Sequence, residues 1–371
     1  MYVTAIADLE AHVAAMPALR VDWAELAPEQ PSVQKPPRFV LGEVPSGLVL
    51  PMLGELVTGP VRCYLARDLR VGPDGLLLDG SVALSSPLLN FPDYHVHGLV
   101  TRMNANPALP VRRLNKRAAW LCGPGSRVYG HWLVDFLPRL WSLETCGHAL
   151  DSLSFIVAEP MAPFIVPLLA TFGIGVHQLE RYDESTEILE VEELLIPTNM
   201  RRGGRLHGLM RDARALLLHR SAAACAPFVG QPYPERIFIT RAAADKSRTL
   251  ANRAAIERIA VEAGLTIVQP ERMTHAEQIA SFRSVRLAFG EYGSGLHNVM
   301  FSDHKVMTCA LRGSSIHPGF IQSAVGEVFG QSIGYVLAPT PLEAVEQVPD
   351  MSEDAMRIAL QCAGLITAER P

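Results

Sequence analysis

Residues 285–301 read VRLAFGEYGSGLHNVMF, a short apolar run that breaks into a glycine-rich turn and continues as a segment with helical spacing. The run has the length of a buried strand, and the turn has the composition of a loop that leads into a helix. Similar pairs of a strand and a helix flank this stretch, and parallel strands need such crossover helices. We therefore expect the second half of the chain to form a parallel, Rossmann-like sheet covered by helices.

The same alternation can be followed outward from this stretch. The predicted strands span residues 236–240, 265–269, 285–289, 306–311 and 334–337, and the predicted helices span 250–263, 274–283 and 296–302. Upstream, from about residue 120, apolar strands such as FIVA at 155–158 again alternate with helices. The beginning of the chain differs, because it combines short strands with many turns, including a hairpin at Pro73-Asp74-Gly75.

A domain boundary is predicted near residue 228. A chain of 371 residues is too long for one ordinary core. The Ala-, Leu- and Arg-rich segment 206–225 is followed by Pro227, Gly230, Pro232 and Pro234, which cannot continue a helix. We expect an α/β protein with an N-terminal domain at 1–228, which begins with a β-rich segment, and a C-terminal domain at 229–371.

Composition and charge limit the classes of function. Hydrophobic residues make up 49% and charged residues 19% of the chain, as in globular proteins. A formal charge of -5 argues against nucleic-acid binding by a whole domain, so any anion must be bound locally. The six cysteines contain no Cys-x-x-Cys pair, which argues against a zinc site or a disulfide framework.

No targeting or membrane-spanning segment is expected. Asp8 and Glu10 interrupt the N-terminus before an apolar run can develop, which argues against a secretory signal. The most apolar long stretch, 160–176, is interrupted by Pro160, Pro163 and Pro167. These features predict a cytoplasmic location.

Basic residues follow the strand predicted at 236–240. Arg241 ends this strand, Lys246 and Arg248 lie in the loop after it, and Asn252 lies in the first turn of the next helix. In open parallel sheets ligands bind beyond the carboxyl ends of the strands, and guanidinium groups fit phosphate oxygens. These residues are candidates for a phosphate site, although a solvated basic loop gives the same pattern.

The glycine-rich turn is the second part of the candidate phosphate site. Gly293 and Gly295 allow a close approach of the backbone, and the first amides of the following helix face an anion. The residues assigned to this part are Tyr292, Gly293, Ser294, Gly295, Leu296, His297 and Asn298. The turn lacks the third glycine of a dinucleotide fingerprint and the glycines of a nucleophile elbow, while a purely structural turn stays possible.

A histidine and an aspartate in the first half are candidates for acid–base chemistry. The segment GHWLVDFLPRLW at 130–141 places His131 and Asp135 four residues apart on one helical face. An imidazole changes its charge near neutral pH and can take a proton from a hydroxyl group. His131 is therefore the candidate general base, and Asp135 is the alternative base. The remaining alternative is a structural role, in which the two side chains only form a hydrogen bond with each other.

Metal ligands are not indicated by the sequence. His95 and His97 in YHVHG would share one face of a strand, but no third ligand is evident near them. The chain contains no Asp-x-Asp pair to bind a divalent cation on a nucleotide. We expect no metal cofactor and a leaving group that is stabilised without a metal.

Taken in order, three segments resemble glycosyltransferase family 61. The family pattern His-Trp-x-x-Asp/Glu-x-x-Pro-Arg corresponds to His131, Trp132, Asp135, Pro138 and Arg139. A strand that ends in Ser-Arg, with an Arg and an Asn downstream, corresponds to Arg241, Arg248 and Asn252. A Gly-Ala-Gly-Leu-x-Asn turn corresponds to Gly293, Gly295, Leu296 and Asn298. The chain has Thr240, Tyr292 and Arg253 where the family usually has Ser, His and Glu.

The resemblance implies a GT-B architecture, in which two Rossmann-like domains face each other across a cleft. It implies an inverting, metal-independent glycosyltransferase that binds a nucleotide-sugar donor, with UDP as the expected nucleotide, and a saccharide or glycoconjugate acceptor. It also implies surface polysaccharide or lipopolysaccharide synthesis at the inner face of the membrane. The alternatives are a noncatalytic nucleotide- or saccharide-binding protein and an oxidoreductase on the same type of sheet.

Overall fold

The protein is a mixed α/β protein with several sheets. The computed structural model describes residues 2–17, 20–33, 35–42, 55–241, 250–313, 321–338 and 350–365. The chain divides into two compact units. The first comprises Met1–Pro31, Val57–Arg202 and Ala215–Arg220, and the second comprises Ser32–Leu56, Gly203–Arg214 and Ser221–Pro371.

The strands are numbered in chain order. They are β1 (Ala5–Asp8), β2 (Val21–Ala27), β3 (Gln30–Val33), β4 (Phe39–Leu41), β5 (Glu55–Thr58), β6 (Val61–Val71), β7 (Leu77–Asp79), β8 (Val82–Ser85), β9 (Val111–Trp120), β10 (Ser154–Glu159), β11 (Leu179–Asp183), β12 (Ile188–Pro197), β13 (Arg201–Arg202), β14 (Arg205–Leu206), β15 (Arg236–Ile239), β16 (Thr266–Val268), β17 (Leu287–Glu291), β18 (Met307–Gly313) and β19 (Ser332–Ala338). The longer α-helices span Leu9–Ala15, Asp93–Ala105, Pro138–Thr145, Ile165–Thr171, Met210–Cys225, Arg253–Glu262, His275–Arg283, Ile321–Phe329 and Glu353–Cys362.

The first unit contains a nine-stranded mixed sheet. Its order is β1-β8-β7-β6-β12-β9-β10-β11, and β2 also pairs with β6. The pairs β12–β9, β9–β10 and β10–β11 are parallel, whereas β6 is antiparallel to β12, β2 and β7. Strands β9 and β12 bury Ala118, Trp120, Leu194 and Ile196 in the core of this unit. The parallel strands that the α/β pattern predicts are thus continued by antiparallel strands in the same sheet.

The hairpin predicted at Pro73-Asp74-Gly75 is present between β6 and β7. Asp74 and Gly75 have φ angles of 55° and 79°, the left-handed region that a tight turn requires. A Cβ atom on Gly75 would lie 2.7 Å from the backbone nitrogen of Gly123, so glycine is also needed for space. The turn is fixed from the other side by Trp120, whose Nε1 donates to the Gly75 carbonyl at 3.0 Å.

The second unit contains a six-stranded sheet in which every pair of neighbours is parallel. Its order is β16-β15-β17-β18-β19-β4. The five strands predicted from residue 236 onward are all present, with ends that differ by a few residues from those predicted. Their apolar side chains form one core with the helices Arg253–Glu262 and Glu353–Cys362.

Strand β4 belongs to the sheet of the second unit, although it precedes residue 228. It pairs in parallel with β19, with Val40 opposite Tyr335. Gly334 makes this pairing possible, because a Cβ atom there would lie 2.3 Å from the ring of Phe39. The expected division at 1–228 and 229–371 thus separates β4 from the unit to which it belongs, and it does the same for residues 203–214 and 221–228. Edge pairing between segments far apart in sequence leaves no local signal.

Candidate functional site

The His131 region lies where two neighbouring parallel strands end. Strands β9, β10 and β11 follow one another across the sheet, and β12 then pairs on the other side of β9. Ligand sites in open sheets favour the point at which the strand order reverses in this way. The segment after β9 carries His131 and Asp135, and the segment after β12 carries Arg201. The fold thus brings together residues 66 positions apart.

The imidazole of His131 is held by Asp135, as the spacing of four residues predicted. Nδ1 of His131 lies 2.7 Å from Oδ2 of Asp135. The helix around this pair is not a regular α-helix, because Trp132–Phe136 forms a π-helix in which the amide of Leu137 donates to the carbonyl of Trp132 at 2.8 Å. Such π segments are rare and occur frequently at functional sites.

Gly125 sets the position of the His131 ring. A Cβ atom on Gly125 would lie 2.7 Å from Cγ of His131, and the φ angle of this glycine is 86°. The backbone at Gly125 therefore packs directly against one side of the imidazole. About 27% of the His131 side chain stays exposed. In the part of the chain that the structure describes, Nε2 of His131 has no hydrogen-bond partner.

Asp135 is buried and ionised. Arg201 donates to both of its carboxylate oxygens, from Nε at 2.6 Å and from Nη2 at 2.8 Å. Burial acts to raise the pKa of the Asp135 carboxyl, but the Arg201 charge and the hydrogen bonds from His131 and Arg201 outweigh it, so this pKa lies well below its usual range. An ionised carboxylate only accepts hydrogen bonds, so the proton between the two residues belongs to Nδ1 of His131.

Arg139 ties the two strand ends together from inside the core. Its guanidinium donates to Oδ1 of Asn199, which follows β12, and to the carbonyl of Cys122, which follows β9. It also stacks over Trp120, with 4.2 Å from Cζ to the ring centroid. Burial lowers the pKa of Arg139 to about 10. This arginine therefore positions the strand ends and is not placed to touch a ligand.

Arg241 and the glycine turn meet at the corresponding point of the second sheet. The strand order reverses between β15 and β17, and Arg241 follows β15 while Gly293 follows β17. Nη2 of Arg241 donates to the carbonyl of Tyr292 at 3.2 Å. A Cβ atom on Gly293 would lie 1.6 Å from that nitrogen. Gly293 is thus needed because the guanidinium of Arg241 occupies the space of a side chain.

A buried ion pair lies beside this turn. Glu291, at the end of β17, accepts from Nε of Arg253 at 2.8 Å and from Nη2 at 3.3 Å. Burial raises the pKa of the Glu291 carboxyl, and the bonds from Arg253 oppose that rise. Arg253 is therefore the positive partner of a carboxylate that is buried beside the turn.

Tyr292 contacts a second arginine at the same edge of the sheet. Cζ of Arg312, near the end of β18, lies 4.6 Å from the centre of the Tyr292 ring. The side chain of Arg312 is buried, and burial lowers its pKa. The sequence reading did not select Arg312, because an isolated arginine after an apolar strand carries no motif.

The helix predicted at 296–302, after the glycine turn, is present but is not an α-helix. Ser294–Phe301 is a 3-10 helix, and the amide of Leu296 donates to the carbonyl of Gly293 at 3.1 Å. His297 and Asn298 are buried, with bonds to Gln322 and Gln278 at 2.7 and 2.9 Å. The Gly295 Cα faces Ile239, since an added Cβ atom would lie 3.3 Å from its Cγ2. These contacts fix the turn within the unit.

Asn252 and the basic loop complete the list of predicted residues. The amide of Asn252 donates to the carbonyl of Met351 at 2.6 Å and accepts from its amide at 3.1 Å, so this side chain fixes the segment before the helix Glu353–Cys362. Lys246 and Arg248 lie outside the described residues. Of the predicted phosphate residues, Arg241 and the turn 292–295 are therefore the ones that the structure brings together at the strand ends.

His95 and His97 lie on the helix Asp93–Ala105 and not on the strand that their alternation predicted. Pro92 precedes the helix, which buries Val96, Leu99 and Met103 at helical spacing. Nε2 of His95 lies 2.9 Å from Oδ2 of Asp74. Across the described ranges, no group of three or more His, Cys, Asp or Glu is arranged to hold a metal ion. Likewise, none of the described helices has the length and apolar character needed to span a bilayer.

One comparison with known proteins bears on this site. Residues 129–310 match the family model described as Glycosyltransferase 61. The matched range contains His131, Asp135, Arg201, Arg241 and the glycine turn. No curated protein matches the chain in sequence. The match supports glycosyltransferase activity. The match over residues 129–310, which contains the ordered motifs, thus supports the identification of the chain as a glycosyltransferase family 61 protein.

Proposed function

We propose that this glycosyltransferase moves a sugar from a nucleotide-linked donor to a hydroxyl of a saccharide or glycoconjugate, with inversion at the anomeric carbon. The proposal rests on the hydrogen bonds that join His131, Asp135 and Arg201. In the reaction, the acceptor hydroxyl loses its proton to His131 while its oxygen bonds to C1 of the donor sugar. The bond from C1 to the phosphate oxygen breaks, and its electron pair leaves with the diphosphate.

The hydrogen bonds favour His131 over Asp135 as the base. Both oxygens of Asp135 accept bonds from Arg201, and its lowered pKa makes it a poor proton acceptor. Asp135 instead orients the imidazole through Nδ1 and stabilises the positive charge that the ring gains. Nε2 is then the atom that takes the acceptor proton, an effect worth roughly 10²- to 10⁴-fold in rate.

The donor diphosphate is assigned to the strand ends of the second unit. Arg241 lies at the point where the strand order reverses, and Gly293 lets its guanidinium approach the turn. Lys246 and Arg248 are assigned to the same site from the sequence alone. Fixed positive groups that meet the charge growing on the leaving diphosphate lower the barrier without a metal. The proposal therefore includes metal-independent transfer.

The remaining parts of the proposal come from the family. They are a GT-B arrangement of the two units, a UDP-linked donor, and a role in surface polysaccharide or lipopolysaccharide synthesis in the cytoplasm at the membrane. The second unit would bind the donor, and the first would supply the base. This assignment agrees with the location of the two strand-end sites on different units.

A comparison of the variant His131→Gln with the unchanged protein tests the proposal. Glutamine keeps a hydrogen-bond donor near Asp135 but cannot take a proton, so we expect transfer to fall by roughly 10²- to 10⁴-fold. Affinity for UDP, measured by calorimetry, should stay the same. Transfer at the unchanged rate would remove His131 as the base, and retention of configuration in the product, read by proton NMR, would exclude the inverting mechanism.

A further inference from the structure

Residues 123–128 lie between the end of β9 and His131, and we call them the support segment. Gly125 lies near the middle of this segment. A Cβ atom on Gly125 would lie 2.7, 2.8 and 3.0 Å from Cγ, Nδ1 and Cδ2 of His131. Because these three ring atoms are at nearly equal distances, the backbone at Gly125 lies over the face of the imidazole. The position of the support segment therefore limits how the ring can tilt.

The support segment has little rigidity of its own. Gly123 and Gly125 have φ angles of 131° and 86°, and glycine loses more conformational freedom on folding than any other residue. The bonds inside the segment are those of two turns, from the amide of Ser126 to the carbonyl of Gly123 at 3.0 Å and from the amide of Val128 to the carbonyl of Gly125 at 2.9 Å. Contacts with the rest of the unit are therefore needed to hold the segment in place.

The side chain of Arg127 joins the support segment to the ends of two other strands. Its Nε donates to the carbonyl of Pro160, which follows β10, at 3.3 Å. Its Nη2 donates to Oε1 of Glu184, which follows β11. Strands β9, β10 and β11 are parallel neighbours in the sheet. Arg127 thus connects three consecutive strand ends.

Glu184 is a fixed partner for this arginine. Its side chain is 16% exposed, whereas that of Arg127 is 54% exposed. Oε2 of Glu184 accepts from the amide of Asp74, in the hairpin turn between β6 and β7, at 2.9 Å. Burial raises the pKa of the Glu184 carboxyl, and the charge of Arg127 opposes that rise. The carboxylate is therefore held from inside the unit, and Arg127 binds to it from the surface.

Two further contacts surround the His131 turn. Nε1 of Trp132 donates to the carbonyl of Ser126 at 2.6 Å, which joins the support segment to the π-helix. The ring of Tyr129 packs edge-on against that of Phe164, with 5.6 Å between the ring centres. Arg127 adds the polar contacts from the support segment to the ends of β10 and β11. The contact between Gly125 and the imidazole thus lies inside a set of bonds that Arg127 completes.

We propose that Arg127 is a positioning residue for the base. It holds the support segment so that Gly125 keeps the His131 ring turned with Nδ1 towards Asp135 and Nε2 towards the acceptor. The inference rests on the proposed function, because it assumes that His131 takes the proton. An exposed ion pair contributes little to overall stability, so loss of Arg127 should release the ring without unfolding the protein.

Acylation of His131 by diethyl pyrocarbonate tests the inference. The reagent attacks an unprotonated imidazole nitrogen, and it reacts faster when the ring is more exposed. The rate is measured by peptide mass spectrometry on the full chain. We expect roughly fivefold faster acylation of His131 in Arg127→Met, the change that loss of an exposed pair allows. Arg127→Lys should react at an intermediate rate, since an ammonium group can pair with Glu184 but lacks the planar fork that also bonds Pro160.

Arg113→Met is the matched control. Arg113 is 52% exposed and pairs with Glu190 near the start of β9, at the other end of the strand from the support segment. Its loss should leave the acylation of His131 unchanged. In transfer assays, Arg127→Met should lower kcat roughly fivefold with an unchanged KM for the donor. A double variant with Gly125→Ala and Arg127→Met should be no slower than Gly125→Ala alone, because both changes act on one contact.

The outcomes separate the inference from the proposed function. The inference is overturned if Arg127→Met is acylated at His131 as slowly as the unchanged protein, if Arg113→Met is accelerated equally, or if the losses of kcat multiply in the double variant. Acylation needs neither donor nor acceptor, so it reports the position of the ring even without transfer. If the unchanged protein transfers no sugar while Arg127→Met is acylated faster, the proposed function fails and the support of the ring by Arg127 stands.

Discussion

Arg201 holds Asp135 with two hydrogen bonds, from Nε to Oδ1 at 2.6 Å and from Nη2 to Oδ2 at 2.8 Å. The side chains are 9% and 2% exposed, so the pair is almost completely removed from water. Two predictions follow from this pair, because it fixes the charge of Asp135. A third concerns Gly125, which packs against the His131 ring in the same unit. A fourth prediction concerns the glycine turn of the second unit.

Replacement of Arg201 by Met should destabilise the protein and reduce transfer. Removal of one partner leaves a buried carboxylate uncompensated, which typically costs about 3–5 kcal/mol. The free energy of unfolding is measured by urea titration. Arg202→Gln is the control, because Arg202 is 43% exposed and its pair with Glu29 is long, so its loss should cost at most about 1 kcal/mol. Equal losses in the two variants would contradict a special role for Arg201.

The stability of the protein should depend on the ionisation of Asp135 at acid pH. Its pKa in the folded protein is depressed, so its contribution is complete above the pKa of the unfolded chain and is lost as the pH falls towards the folded value. We expect stability to fall below about pH 5, since the unfolded chain then binds more protons than the folded one. Asp135→Asn should show a smaller slope in urea titrations between about pH 5 and 2. An unchanged slope would show that Asp135 does not contribute.

Replacement of Gly125 by Ala should impair transfer without affecting donor binding. The added methyl group would overlap the His131 ring, and the left-handed φ of 86° disfavours alanine. We expect the transfer rate to approach that of His131→Gln, while the affinity for UDP stays unchanged. Gly98→Ala is the control in the same unit, because no atom lies within 4 Å of its added Cβ. Normal transfer by Gly125→Ala would show that the ring position is not critical.

Replacement of Gly293 by Ala should weaken nucleotide binding. The new Cβ would coincide with Nη2 of Arg241, so the guanidinium would have to leave the turn. Loss of a charge-assisted hydrogen bond costs about 1.5–3 kcal/mol, which corresponds to roughly a 10- to 150-fold increase in the Kd for UDP. Calorimetry measures this change. Gly204→Ala, which has nothing within 4 Å of the added Cβ, should bind normally, and a normal Kd for Gly293→Ala would remove Arg241 from the donor site.

The sequence predicted those features that depend on neighbouring residues. The strands from residue 236 onward were recognisable because buried parallel strands are short, apolar and separated by helices. The pairing of His131 with Asp135 followed from a spacing of four residues, and it held even in a π-helix. The strand predicted from the alternation of His95 and His97 is wrong, because Val96, Leu99 and Met103 are buried at helical spacing.

The sequence alone thus determined the α/β character of the chain, the glycine-rich turn at 293–295 and the His131–Asp135 pair, because these depend on local spacing and backbone freedom. Only the tertiary structure decided that Arg201 holds Asp135, that Arg312 contacts Tyr292, that Arg241 fills the space above Gly293, and that β4 completes the second sheet. Each of these contacts joins segments that are distant along the chain. Their geometry is set by the order of strands in a sheet, and that order is fixed by the collective burial of apolar surface, which no single motif reports.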